Sequence, residues 1–173
     1  GMVRVTGPIV VLIAVWLFGV APPAAAQTRH AFVVGIDTYE DLPSLQRARN
    51  DARAVAAAMT EAGFQTDLLL DPSLNALLGA LAEFSAGLDP GDEVAFFFAG
   101  HGVEINGRNY LVPADIPNVG PGQELVVIRQ SLPVNDVIDE FNARGVRLSV
   151  LILDACRDNP FQSRGTRTLG RTR

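Results

Sequence analysis

Short, nearly continuous apolar runs alternate along the chain with segments whose apolar residues recur on one helical face. Residues 31–36, 66–70, 93–99 and 148–153 form the runs. A half-exposed strand would alternate apolar with polar positions, so this continuity predicts strands of a parallel sheet covered on both sides. Between the runs, Ala52, Val55, Ala56 and Met59 are spaced at i, i+3, i+4 and i+7, as are Leu74, Leu77, Leu78 and Leu81, and Val134, Val137, Ile138 and Phe141. That spacing predicts three amphipathic helices. Asp71-Pro72-Ser73 is a start signal for the second, and Gly63 and Gly145 are stop signals for the first and third. Strand and helix in alternation predict an α/β fold, a mainly parallel sheet with helices on both faces. Asn106-Gly107 between extended flanks predicts a hairpin over Val103 to Leu111. Residues 113–130, with Pro117, Gly120, Pro121 and Gly122, read as loop. The apolar pattern ends near Asn159, so one domain over 27–161 is expected, with 162–173 a mobile tail or a truncated inter-subunit linker.

The first residues follow a different logic. Arg4 precedes the uncharged stretch from Val5 to Ala26, which carries an apolar core from Ile9 to Val20 and then Pro22, Pro23 and Ala24-Ala25-Ala26. This is the layout of a signal peptide cut between Ala26 and Gln27. An uncleaved membrane anchor is the alternative, because the stretch is long enough to span a bilayer. Export predicts a periplasmic or secreted domain with no membrane contact after cleavage. Losing residues 1–26 removes one arginine and no acid, which makes a formal net charge of -5 more negative still. Outside Arg164, Arg167, Arg171 and Arg173 there is no basic stripe, so no nucleic-acid partner is expected.

The chain has a single cysteine. An exported domain stapled by disulfides would carry an even set, so Cys156 is either a small buried core residue or a thiol with a task. Its setting bears on which. His101 follows the third apolar run and Cys156 the fourth, and in open α/β sheets the carboxyl ends of the strands form the ligand crevice. If those strands are neighbours, imidazole and sulfur meet at one rim, as a cysteine–histidine pair requires. The imidazole would lower the thiol pKa and hold a proton for a leaving amine. The backbone N–H groups of Gly102 and Cys156 would form the oxyanion hole. Of the two histidines, His30 adjoins the leader, which leaves His101 as the base.

Several ordered motifs then carry a resemblance. Val33-Val34-Gly35-Ile36-Asp37, Asn50-Asp51-Ala52, Phe98-Ala99-Gly100-His101-Gly102, the segment NYLVPAD at 109–115 and LDACRDNPF at 153–161 together resemble the bacterial caspase and metacaspase family, from Arg29 to Phe161. The resemblance implies the caspase–haemoglobinase fold and peptide-bond hydrolysis through an acyl-enzyme, with His101 and Cys156 as the catalytic dyad. It implies a first specificity pocket (S1) holding Asp51 and Asp154 and a preference for cutting after arginine or lysine, whose charge carboxylates hold well. Against this, Asp51 also suits the first turn of a helix and Asp154 an exposed strand end, while Arg47, Arg49 and Arg53 leave the opposite, acidic preference open. No cofactor is required. Calcium, which activates some metacaspases, would draw on Asp115, Asp136 and Asp158, although Asn135 stands where the calcium-dependent pattern has an acid. Relatives continue past the nucleophile, so the chain corresponds to a large-subunit region, incomplete at its C-terminus, with a small-subunit segment and a peptide or protein substrate as partners. A catalytically inert interaction module of this fold, or a different thiol hydrolase on a related one, are the alternatives.

Overall fold

A computed structural model describes residues 27–156 and residue 161. The expected leader, Asp158 and the expected tail lie outside the described residues. In chain order the elements are β1 (Arg29–Gly35), α1 (Ala48–Glu61), β2 (Gln65–Leu70), α2 (Leu74–Ala86), β3 (Glu93–Ile105), β4 (Arg108–Leu111), α3 (Glu124–Arg129), β5 (Leu132–Pro133), α4 (Val134–Ala143) and β6 (Leu148–Cys156). Strands β2, β1, β3 and β6 lie side by side in that order and run parallel. Past His101, β3 continues alone to Ile105, turns through Asn106 and Gly107, and pairs antiparallel with β4, which pairs in turn with β5. Asn106 (φ 53) and Gly107 (φ 75) are both left-handed, as a tight two-residue hairpin needs.

Strand alternation sorts the apolar runs between two faces. On one, Ala31, Val33, Ala95, Phe97 and Ala99 meet Ala48, Ala52 and Ala56 of α1. On the other, Phe32, Val34, Phe96 and Phe98 meet Leu77, Leu81 and Phe84 of α2 and Val137 and Phe141 of α4. The predicted α/β architecture, helices on both faces of a mainly parallel sheet, is the observed one. Small residues on the first face let α1 come close: a Cβ on Gly35 would stand 2.5 Å from the Ala52 Cβ and 2.6 Å from the Ala48 carbonyl oxygen. The start of α1 is thereby pressed onto the carboxyl end of β1, at the rim where the sequence puts its chemistry.

Two expectations need correction. His101 and Cys156 do not follow their strands but lie within them, because β3 and β6 stay in register well past the apolar runs. The stretch 113–130 is not all loop: it contains α3, a short helix that buries only Val127 and therefore has little amphipathic signature. The first helix starts at Ala48, with Asp51 in its first turn, and the Asp37 carboxylate supplies the acceptors for the Ala48 and Arg49 N–H groups.

The amino end of the sheet is tied by Asp92. Its carboxylate accepts from the Thr28 N–H at 2.9 Å and the Asp89 N–H at 3.0 Å, and meets His30 Nε2 at 3.1 Å. Burial pushes the Asp92 pKa up, but the two backbone donors and His30 together outweigh it, and the net shift is below the usual 3.8. A carboxyl held low stabilises the fold above its unfolded-state pKa and loses that contribution as pH falls through its folded-state value. Asp92→Asn should cost about 1–3 kcal/mol at neutral pH, the penalty for buried donors left poorly matched. The gap between wild-type and variant melting temperatures should close as pH falls below about 4. A gap that is constant across that range would show that Asp92 does not act through its charge.

Candidate active site

The last registered pair of the β3–β6 ladder is His101 with Cys156. Adjacent strands are spaced about 4.8 Å apart, so the two backbones are as close as a sheet allows. By strand alternation, His101 shares the face of Ala95, Phe97 and Ala99, the one that carries α1. His30 is at the opposite end of the sheet, on β1, engaged with Asp92.

The imidazole of His101 is closely framed. The side chain is buried, and its Nε2–H donates to the Pro43 carbonyl at 2.8 Å. A carbonyl can only accept, so Nε2 carries the hydrogen and Nδ1 is the accepting nitrogen of the neutral ring. Nδ1 is buried and has no hydrogen-bond partner among the described residues. The Tyr39 ring packs on the imidazole with centroids 4.6 Å apart, and its hydroxyl oxygen accepts the His101 backbone N–H at 2.7 Å. Both flanking glycines have a packing reason. A Cβ at Gly100 would lie 2.8 Å from the Tyr39 hydroxyl, and one at Gly102 2.8 Å from the Ala155 Cβ. Gly102 faces Leu111 of β4, yet the nearby ladder bond runs from the Val112 N–H to the His101 carbonyl. This makes Gly102 and Leu111 a non-hydrogen-bonded pair and turns the Gly102 N–H away from β4, towards the end of β6.

The acids separate into two groups. Asp37 and Asp71 are spent on backbone donors. Asp115 accepts from the Leu74 N–H at the start of α2 at 2.8 Å, and Asp136 is exposed in the first turn of α4. Among the described residues no three His, Cys, Asp or Glu are grouped to hold a metal ion. Asp51 and Asp154 are different: both are exposed, and neither carboxylate has a hydrogen-bond or ion-pair partner among the described residues. Asp154 is in register with Ala99, which is in register with Gly35, the residue that touches Ala48 and Ala52. Asp154 and the start of α1, where Asp51 sits, therefore belong to one side of one rim. A cleft of 210 Å³ bounded by Gly102, Tyr110, Leu111, Leu153 and Ala155 opens on the other face.

The caspase-domain family model matches residues 28–171. The chain belongs to the caspase family. Caspases are cysteine peptidases that act on proteins, and the domain's helix-flanked parallel sheet is the framework expected of one. The human protein named mucosa-associated lymphoid tissue lymphoma translocation protein 1 is 27% identical over 132 residues, which is 76% of this chain and 15% of that protein. The Mus musculus homolog matches to the same extent. The caspase domain thus spans about 15% of the length of these curated relatives. A solved protein from Geobacter sulfurreducens superposes with a TM-score of 0.54 at 20% identity, over 75% of this chain and 50% of that one. At that identity the likeness speaks for the fold.

Sequence reasoning did not find the groups that frame the histidine. Pro43 acts through its carbonyl, which every residue has, so no side-chain pattern could single it out. Tyr39 had a weak signal at most, as a lone aromatic just past a strand end.

Proposed function

We propose that the chain is a cysteine endopeptidase in which Cys156 is the nucleophile and His101 the base and acid, cutting after arginine or lysine. The observation that carries this is the state of His101: Nε2 is held by a backbone carbonyl, Nδ1 has no partner among the described residues, and the residue is in register with the sole cysteine. In the reaction Nδ1 takes the thiol proton, and the thiolate attacks the scissile carbonyl carbon. The carbonyl oxygen becomes an oxyanion, received by the N–H groups of Gly102 and Cys156. As the C–N bond breaks, the imidazolium returns its proton to the departing amine and leaves a thioester. Water, deprotonated by His101, then attacks the thioester and releases the acid and the thiol. No cofactor enters these steps. Asp115, Asp136 and Asp158 would be the residues to hold a calcium ion, but Asp115 is already committed to the start of α2, so activity without added calcium is the reading proposed.

Asp51 and Asp154 are the proposed floor of the first specificity pocket. Their support is their position on the α1 side of the rim and their lack of hydrogen-bond or ion-pair partners among the described residues. Such exposed carboxylates suit a guanidinium or ammonium group from the substrate. A small-subunit segment would complete the enzyme along β6. The outer edge of β6 has no strand partner among the described residues, and Leu148, Val150 and Ile152, which share the α1 side, are 49%, 44% and 42% exposed. The same reading places the working domain in the periplasm or outside the cell, after removal of residues 1–26.

The specificity reading is tested with short peptide reporters ending in arginine, lysine or aspartate. Arginine and lysine should be cleaved and aspartate spared. Asp154→Ala should cut kcat/KM on the arginine reporter about 100-fold, mostly through KM, the cost of removing one partner of a charge-assisted pair. Preferred cleavage after aspartate would reverse the assignment and turn attention to Arg47, Arg49 and Arg53.

A further inference from the structure

We propose that Asp71 is a positioning residue for His101, acting through the 36–47 loop. The inference rests on the peptidase reading above and deepens it by identifying what keeps the base in place. Asp71 directly follows β2, two strands away from His101, and does not touch the imidazole.

The chain of contacts is continuous. Asp71 Oδ1 accepts from the Asp37 N–H at 2.8 Å and the Thr38 N–H at 3.1 Å, and Oδ2 meets the Arg49 guanidinium at 3.3 Å. The Asp71 N–H donates to the Gly35 carbonyl at 2.9 Å. Asp37, fixed in this way, closes the loop on itself: its carbonyl accepts the Leu45 N–H at 2.8 Å, and its carboxylate accepts from Ala48 and Arg49 at the start of α1. Arg47, the residue before the helix, contributes no side-chain cap of its own. Between those two anchor points lie Tyr39 and Pro43, the groups that receive the His101 backbone N–H and Nε2–H. The loop is also held by the Ile36 N–H on the Ala99 carbonyl and the Glu40 N–H on the Ala114 carbonyl, both at 2.9 Å, but the Asp71 carboxylate is the side chain that fixes its exit from β1, and the loop carries the two groups that orient the imidazole.

The backbone at Asp71 supports the assignment. Its φ is 49, a left-handed conformation that costs most residues energy and that aspartate tolerates better than most. Glycine would meet the conformational need alone. Here the residue is not glycine and both its carboxylate oxygens are engaged, which points to a role for the carboxylate.

The test uses this difference. Asp71→Gly relieves the backbone and removes the carboxylate, whereas Asp71→Asn keeps an oxygen that can accept from Asp37 and Thr38. Because Cys156 is the only cysteine, alkylation of the full chain by iodoacetamide across a pH series reads His101-dependent thiolate formation directly. Wild type and His101→Ala give the two limiting curves. Asp71→Gly should move most of the way towards the His101→Ala curve and lower kcat about 10- to 100-fold with KM within about twofold, as expected for a displaced base. Asp71→Asn should recover most of both. An Asp71→Gly curve that overlays wild type while His101→Ala differs would overturn the inference and leave the peptidase reading intact. Wild-type and His101→Ala curves that coincide would overturn both. If circular dichroism shows that Asp71→Gly does not fold, Asp71→Glu decides instead: it keeps the charge but lengthens the arm by one methylene, and a wild-type alkylation curve and kcat from it would equally overturn the inference.

Discussion

Cys156→Ala should abolish cleavage of an arginine reporter, and His101→Ala should reduce it to nearly the same floor, about a thousandfold or more below wild type in each case. The double variant should be no worse than either single one. Groups that act in one proton-transfer unit lose their value together, so their effects do not add. The pairing in register of residues 101 and 156 is the ground for treating them as such a unit. His101→Gln separates the chemistry from the packing. Glutamine can still donate to the Pro43 carbonyl, but it cannot take a proton from a thiol at neutral pH. It should therefore keep the melting temperature within a few degrees and still lose the activity. Residual His101→Gln activity within tenfold of wild type would mean that the imidazole is structural and that the thiol, if catalytic, uses another base.

The same pair shows what could be read from the sequence and what could not. Phe96, Phe97 and Phe98 announce a doubly covered strand because no polar residue interrupts them, and the structure buries all three. His101 and Gly102 carry no such signal. Yet β3 continues through both, held by β6 on one side and β4 on the other, and tertiary pairing of this kind overrides local pattern. Chemistry-bearing side chains stood out because each is rare in this chain. The groups that orient them did not, since a carbonyl at Pro43 and the backbone donors received by Asp71 depend on where the chain passes rather than on which residue occurs there. Asp37, Asp71, Asp115 and Asp51 look alike as letters in a sequence. Only coordinates separate the first three, committed to backbone N–H groups, from Asp51, exposed and without such a commitment.

The core offers the largest expected effect on stability, at Phe96. This residue is fully buried in the part of β3 that pairs with both β1 and β6. Its ring stacks on Phe32, with centroids 5.9 Å apart and planes within 12°, and leans on Phe141 of α4 at 6.4 Å. Phe96→Ala removes a wall common to the sheet and to α4, and close-packed neighbours on rigid elements collapse into such a space only in part. The expected cost is about 3–5 kcal/mol, a large share of the roughly 5–15 kcal/mol that holds a domain folded. The melting temperature should fall by about 10 °C or more. Phe96→Leu, which refills most of the volume, should recover about half of that loss. Phe96 is on the face away from His101, so the protein that remains folded should keep its turnover per titrated thiol. A drop in that turnover matching the drop in stability would show that the α2–α4 face, and not only α1 and the 36–47 loop, sets the geometry of the rim.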